Sequence, residues 1–190
     1  MVKPSWRIAG LLLLILLFSS SVCYAYVYNG VWWNAGYATY NYGDTLPSSM
    51  QAAVQKGAGT WNAAPSSFYF MFDSSSGNQW WYGSIDGMFG TVATTWWDDL
   101  FGRLYDCDTK FDSDEIWNTD VTRPPYNWEE DAWSVAAHEF GHWLSLGHSY
   151  SSPDGYRPTM DDRIDYGLYY PRDLAQDDKN GIWYIYETLH

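Results

Sequence analysis

Three of the four histidines in this chain lie within one short segment, HEFGHWLSLGH at positions 138–148. The pattern from Glu129 to Ser145 predicts a helix that begins with acidic residues, as the positive end of a helix dipole favours. On such a helix His138 and His142 lie one turn apart and project from the same face. The glycine just before His148 is expected to let the chain turn back toward the other two imidazoles. The segment therefore requires a helix followed at once by a tight turn.

Histidines at this spacing predict a zinc site. His138, His142 and His148 can each place one nitrogen about 2 Å from the same ion. Three protein ligands leave the fourth position open, which is typical of a catalytic rather than a structural zinc. Glu139 is the expected general base. Zinc lowers the pKa of water toward about 7, so a carboxylate can take a proton from the water as it attacks a carbonyl, and can then pass the proton to the leaving amine. The alternative is that these histidines only cap or pack the helix and bind no metal. The fourth histidine, His190, is expected to be a solvated chain end.

The segment at 138–148 resembles the HExxHxxGxxH signature of the metzincin metallopeptidases, and within them of the matrixins. FDSDEIW at 111–117 is similar to the stretch before the matrixin active-site helix, and LAQDDKNGIWYIY at 174–186 resembles the matrixin C-terminal helix. Met160 lies where these proteins have a Met-turn, which places a thioether beneath the zinc ligands. The resemblance implies a zinc metalloendopeptidase with an α+β, zincin-like catalytic domain, built from a twisted five-stranded mixed sheet and three helices.

The resemblance also implies how a substrate and a second kind of metal would bind. Thr91 to Trp97 would be the edge strand of the sheet, which pairs with a peptide or protein substrate in extended conformation. The alternative is a covered edge without a ligand. Asp112 and Glu115 match calcium ligands of the family, and the segment from Asp73 to Gly90, expected to be a long loop, would complete that site with backbone oxygens. The alternative is that both residues are solvated surface acids.

Two positions depart from the matrixin pattern, and a third differs from that of astacin-like relatives. Ser145 stands where the family has Gly, at a place where a side chain is strained, and Gly147 is expected to absorb that strain. Lys110 replaces a histidine that many matrixins use for a second, structural zinc, so one zinc per chain is expected. Asp162, two residues after Met160, is not the tyrosine with which astacin-like relatives stabilise the oxyanion, so zinc would carry most of that charge.

The N-terminus predicts an export signal. A positive end is followed by an apolar run at Ile8–Phe18 and by a small-residue stretch that ends at Ala25. We therefore expect a signal peptide at 1–25 and one secreted domain at 26–190. One alternative is an uncleaved anchor, although the run is shorter than the about 20 apolar residues that span a bilayer. The other alternative is lipidation at Cys23.

Composition limits the partners of the chain. A formal net charge of −13 argues against binding to nucleic acid or to an anionic membrane. Membrane contact is expected only through the N-terminal segment, if that segment is not cleaved. The 13 Trp and 17 Tyr argue against disorder. Cleavage after Ala25 would leave Cys107 as the single cysteine, without an intramolecular disulfide. We expect a monomer.

The remaining patterns predict a strand at Tyr37–Tyr42, a helix capped by Ser48 or Ser49 and running to about Ala63, a wholly buried strand at Phe68–Phe72, a strand at Arg103–Asp112 antiparallel to the edge strand, and a last helix from about Leu174 to Tyr186.

Two other functions compete with the peptidase interpretation. The tryptophan pairs at 32–33, 80–81 and 96–97 could stack on sugar rings in a non-catalytic, aromatic-rich extracellular binding module. Glu139 argues against this alternative, because a pure binding module needs no carboxylate beside a zinc ion. A zinc hydrolase that acts on a non-peptide substrate is the second alternative. The edge strand favours a peptide, since strand pairing recognises a peptide backbone.

Overall fold

A computed structural model describes residues 25–163 and 166–190, so the predicted signal peptide up to residue 24 lies outside the described residues. The strands are β1 (Val27–Tyr28), β2 (Trp32–Trp33), β3 (Tyr37–Tyr42), β4 (Tyr69–Phe72), β5 (Gln79–Gly83), β6 (Ala93–Leu100), β7 (Arg103–Asp112), β8 (Trp117–Asn118), β9 (Glu130–Asp131) and β10 (Leu146–Gly147). The helices are α1 (Ser48–Asn62), α2 (Ala132–Trp143) and α3 (Gln176–Trp183), the last of which continues as a π-helical turn over Tyr184–Leu189. Within the described ranges, no helix has both the length and the apolar character needed to cross a membrane.

Five strands form the main sheet in the order β4–β3–β5–β7–β6. The first four are parallel to one another, and β6 runs antiparallel to β7. β2 adds a short strand that pairs in parallel with the start of β7. β7 is the one strand partner of β6 in the described part of the chain, which leaves the other side of β6 as a free edge. The predicted α+β fold, a mixed five-stranded sheet with three helices, is confirmed.

The two longer helices pack together closely. A Cβ added at Gly57 in α1 would lie 2.7 Å from the Cβ of Ala136 in α2, so this position requires a glycine. α2 also packs two aromatic rings on β5. The ring centres of Phe140 and Trp143 lie 4.7 Å and 5.7 Å from that of Trp80, and all three side chains are buried. This packing sets the rotation of α2 about its axis, and therefore which of its residues face away from the core.

The N-terminal boundaries of α1 and α2 differ from those predicted from the sequence. α2 begins at Ala132 rather than Glu129, because the two residues before Ala132 pair with β8 as β9. Asp131 then caps the helix, accepting a hydrogen bond from the Ser134 backbone N–H at 3.0 Å. The predicted serine cap of α1 is wrong, since Ser48 is already helical and the residue before it is Pro47, which has no side-chain cap hydrogen bond.

Two strand predictions are corrected. The segment from Asp73 to Gly90 is not one long loop, because β5 lies in its middle. The aromatic run of β5 favours a strand, but turn-forming residues on both sides conceal it in the sequence. The strand at Phe68–Phe72 is not wholly buried. β4 is an outer strand, so Phe70 is buried while Tyr69 and Met71 are each 44% exposed.

Candidate metal centre

The turn after α2 brings the three histidines together. His138 and His142 project from one side of the helix, and Ser145 then reverses the chain with a left-handed φ of 67°. The Ser145 backbone N–H donates to the His142 carbonyl at 2.8 Å. Next, β10 pairs antiparallel with β1, immediately before His148. One possible ligand atom from each histidine lies within 4.8 Å of those of the other two. Within residues 25–163 and 166–190, no other group of three or more His, Cys, Asp or Glu side chains has this arrangement.

An oxygen atom faces the Nδ1 atom of each imidazole. His138 Nδ1 is 2.8 Å from the carbonyl of Thr159, and His142 Nδ1 is 2.8 Å from the carbonyl of Leu146. His148 Nδ1 is 3.4 Å from a carboxylate oxygen of Asp162. Because the two carbonyl oxygens accept hydrogen bonds, Nδ1 of His138 and of His142 carries the proton and Nε2 of each keeps its lone pair. Three imidazoles that each bring one nitrogen to the same place, two of them oriented by backbone carbonyls, fit the ligand chemistry of zinc.

The surroundings keep the imidazoles in the form that binds a metal. Burial lowers the pKa of His138 well below its ordinary value, and the neighbouring His142 lowers it further. Burial likewise lowers the pKa of His142 and is the largest cause of the lowered pKa of His148. All three side chains are therefore neutral at neutral pH, and a neutral imidazole is the metal ligand.

Glu139 lies in the same cleft as the histidines. Its side chain is buried, and Oε2 accepts a hydrogen bond from the Thr95 hydroxyl at 2.6 Å. Burial raises the pKa of Glu139 to about 7, and the Thr95 hydroxyl opposes this rise. The cleft has a volume of about 610 Å³, and β6 forms one wall of it while the histidines and Glu139 form the other. A buried carboxylate beside three imidazoles, open to a cleft, is an arrangement suited to proton transfer.

A second carboxylate supports the histidines from behind. Met160 is buried, and a Cβ added at Gly141 of α2 would lie 2.1 Å from its sulfur, so the thioether packs against the helix between the two histidine turns. Asp178 of α3 accepts the backbone N–H groups of Thr159 at 2.8 Å and Met160 at 3.2 Å. Thr159 in turn presents its carbonyl to His138. The sequence resemblance covers this helix but did not predict the role of Asp178.

The two predicted calcium ligands lie away from the histidines, beneath the segment that follows β5. Asp112 accepts the backbone N–H groups of Asp114 at 2.9 Å and Asp86 at 3.3 Å. Glu115 accepts the N–H of Gly90 at 3.2 Å and the hydroxyl of Tyr166. Both carboxyl groups are buried, so the alternative of solvated surface acids is wrong.

The three other positions singled out in the sequence have defined places. The strain expected to be relieved at Gly147 stays at Ser145, whose hydroxyl accepts the backbone N–H of Val31 at 3.3 Å. Lys110 donates to the carbonyl of Ser84 at 3.2 Å. His190 is not among the three clustered histidines, and its ring stacks on that of Trp32 with centroids 3.7 Å apart.

Fold and site together define a class of protein: a metzincin-type zinc metallohydrolase domain, with a three-histidine centre at the end of an HExxH helix and a free edge strand beside it. The family model for matrixin, Peptidase M10, matches residues 39–187, and the chain belongs to the matrixin family. In this family the histidine triad implies zinc.

Three curated relatives illustrate the similarity. The chain is 35% identical to stromelysin-3 of Xenopus laevis over 112 residues, which cover 57% of this chain and 20% of that protein. It is 41% identical to metalloendoproteinase 1 of Glycine max over 78 residues, which cover 40% of this chain and 24% of that protein. It is 30% identical to stromelysin-1 of Mus musculus over 169 residues, which cover 82% of this chain and 33% of that protein. The matched regions thus span between 20% and 33% of the length of these relatives.

Proposed function

We propose that residues 26–190 form a secreted zinc metalloendopeptidase that cuts peptide bonds in extended segments of protein substrates. His138, His142 and His148 hold the zinc through Nε2, and Glu139 is the general base. The observation that carries this proposal is the convergence of three histidine side chains and a buried carboxylate in one cleft along the free edge of β6.

The reaction follows from the position of Glu139. Zinc, when bound, supplies a Lewis acid that polarises the substrate carbonyl and makes water acidic enough to lose a proton near neutral pH. Glu139 takes that proton as the water attacks the carbonyl carbon, and returns it to the leaving amine when the C–N bond breaks. Thr95 engages one carboxylate oxygen of Glu139, and it is the one side-chain donor to Glu139 among the described residues. The second oxygen is left to handle the proton.

The edge strand selects a peptide backbone. β6 is paired with β7 on one side, and its N-terminal half lines the cleft opposite the histidines. An extended peptide can add to this edge through alternate backbone N–H and C=O groups. A substrate without such groups, for example a small ester, could reach the metal but would lack this source of affinity.

The test uses residues 26–190 loaded with zinc. We expect cleavage of unfolded casein and of an unstructured peptide, and much slower hydrolysis of a small ester. A peptide series methylated at one backbone nitrogen at a time separates strand pairing from general access, since methylation at alternate positions should abolish cleavage. Hydrolysis of the ester without cleavage of any peptide would favour the non-peptide hydrolase. Uniform tolerance of N-methylation would contradict pairing with β6.

We also propose a calcium ion at Asp112 and Glu115, completed by backbone oxygens of the segment before β6. The support is the burial of two carboxyl groups beneath that segment. A calcium-selective chelator should lower the thermal midpoint while zinc stays bound, and Asp112→Asn should remove this effect.

Because Lys110 takes the place of a histidine, metal analysis should find one zinc per chain. A second zinc would refute the prediction of a single zinc site.

Export is proposed to depend on the N-terminal segment. Matrixins are generally secreted, and the apolar run at 8–18 precedes a small-residue stretch that ends at Ala25. We expect the exported protein to begin at Tyr26 and to sediment as a monomer. N-terminal sequencing of secreted material tests the first expectation, and analytical ultracentrifugation tests the second.

A further inference from the structure

A row of three hydrogen bonds runs from the core of the domain to Glu139. The Trp143 indole Nε1 donates to the Thr109 hydroxyl at 2.8 Å. The Thr109 and Thr95 hydroxyl oxygens are 2.6 Å apart. The Thr95 hydroxyl donates to Glu139 Oε2, also at 2.6 Å. Thr109 and Trp143 are fully buried, and Thr95 is partly exposed toward the cleft.

The fold places these four residues in register. Thr95 of β6 and Thr109 of β7 are directly paired across the two strands. Glu139 and Trp143 are four residues apart on α2 and therefore lie on the same face of the helix. The helix thus places a carboxylate over one threonine of the pair and an indole over the other. The contacts link the edge strand, its neighbour and the helix that carries two of the zinc ligands.

The chemistry of the two ends sets the direction of the row. An indole N–H can only donate, and an ionised carboxylate can only accept. Each threonine hydroxyl has one proton to donate. Thr109 must therefore accept from Trp143 and donate to Thr95, and Thr95 must donate to Glu139. This order satisfies all three contacts, and donors that follow one another in this way strengthen the last hydrogen bond of the row.

We propose that Thr95 and Thr109 are positioning residues for Glu139. They hold one carboxylate oxygen against β6, so that the other oxygen faces the place where water attacks. Thr95 also belongs to β6, the strand with which the substrate pairs. The hydrogen bond from Thr95 therefore fixes Glu139 relative to the strand that positions the scissile bond. The inference rests on the proposed peptidase function, in which Glu139 moves the proton.

The central variant is Thr95→Val, which keeps the shape of the side chain and removes the hydroxyl. We expect kcat to fall about tenfold to a hundredfold, as for the loss of orientation of a general base, with KM within about twofold of the parent because uniform binding is unchanged. Thr95→Ser restores the hydroxyl and should recover most of kcat. Thr122→Val is the matched control: it removes an exposed hydroxyl that donates to Asp120 at 2.6 Å, outside the cleft, and should change neither constant.

A second readout does not depend on zinc or on activity. In the zinc-free protein above pH 8, where Glu139 is ionised, the NMR resonance of the Trp143 indole N–H should shift in Glu139→Gln, because the carboxylate polarises the row through both threonines. In Thr109→Val the same proton should lose its acceptor and exchange faster with solvent. Zinc content and thermal midpoint of every variant show that the fold is kept, and Thr95→Ala replaces Thr95→Val if the latter does not fold.

Two results would overturn the inference. One is a Thr95 variant without the hydroxyl that keeps the kcat of the parent. The other is a Trp143 indole resonance that is the same in the parent and in Glu139→Gln. Either result, together with a large loss of kcat in Glu139→Gln, would leave the peptidase function intact and remove only the positioning role. A parent that cuts no peptide would instead remove the function itself.

Discussion

At Glu139, burial and hydrogen bonding act in opposite directions. Burial raises the pKa of the carboxyl group to about 7, while the hydroxyl of Thr95 favours the ionised form. The pKa of Glu139 thus stays close to the pH at which this residue must both take and release a proton. His138 shows the complementary case, since burial lowers the pKa of its imidazole and keeps Nε2 free of a proton.

The raised pKa of Glu139 predicts how the stability of the zinc-free protein depends on pH. The folded state keeps this proton up to about pH 7, and the ordinary pKa is 4.5, so ionisation costs stability as pH rises between these values. Relative to Glu139→Gln, the zinc-free parent should therefore lose about 3 kcal/mol between pH 4 and pH 8, because a tenfold change in proton affinity corresponds to about 1.4 kcal/mol. Urea unfolding of both proteins across this range measures the difference. A difference that does not change with pH would contradict the assigned pKa.

Asp178 carries a second prediction at this scale. Asp178→Asn places an amide NH₂ against backbone N–H donors, which should cost about 1–3 kcal/mol of stability. Because Thr159 presents its carbonyl to His138, zinc affinity should also fall about tenfold to a hundredfold. Competition with a chromophoric chelator measures that affinity. The exposed Asp173→Asn is the control and should change neither quantity.

Among the elements, the body of α2 was the most predictable from sequence, because histidine spacing and helical periodicity are local signals that predicted the helix carrying His138 and His142. The turn after it was predicted at Gly147, whereas the chain reverses at Ser145 and Gly147 lies in β10. β5 was missed because its aromatic run lies between glycine, serine and asparagine residues. The Thr95–Glu139 and Thr159–Asp178 contacts join residues 44 and 19 positions apart. Such contacts depend on how strands and helices pack, which no local pattern reports.

Close packing between α2 and Met160 predicts an unusual effect of an alanine in a helix. Gly141→Ala would place Cβ 2.1 Å from the Met160 sulfur and 2.9 Å from a ring carbon of Trp61. We expect a loss of about 1–3 kcal/mol, although alanine is the better helix former. Gly59→Ala in α1 is the matched control, since nothing lies within 4 Å of the added carbon, and it should stabilise the protein by up to about 1 kcal/mol. Thermal unfolding compares the two; an equal gain in both would contradict the packing.

The domain combines an aromatic core with the three-histidine centre. Cys107 is a free, buried thiol, so the hydrophobic core and bound metal must hold the described residues together. The zinc ligands come from α2 and from the segment after β10, which β1 joins to the N-terminal part of the domain. Metal binding is therefore expected to stabilise the turn after α2 and the contacts that depend on it.

Removal of zinc tests this link. A chelator should lower the thermal midpoint, and added zinc should restore it. The effect should persist when the pH is lowered from 8 to 6. Burial lowers the pKa of the three clustered imidazoles below the ordinary value of 6.5, so they stay neutral in the folded zinc-free protein, and zinc binds the neutral form. Differential scanning calorimetry at both pH values measures the change in midpoint. A thermal midpoint that does not respond to zinc at pH 8 would contradict the expectation that metal binding stabilises the fold.

The most direct measurement compares casein cleavage by residues 26–190 and by Glu139→Gln, with zinc content determined for both proteins. We expect one zinc per chain in each protein, cleavage by the parent, and a rate lower by about 10²–10⁴ in the variant because the general base is lost. A parent that holds zinc but cuts neither casein nor any peptide would contradict the peptidase assignment. A variant that cuts as fast as the parent would contradict the role of Glu139.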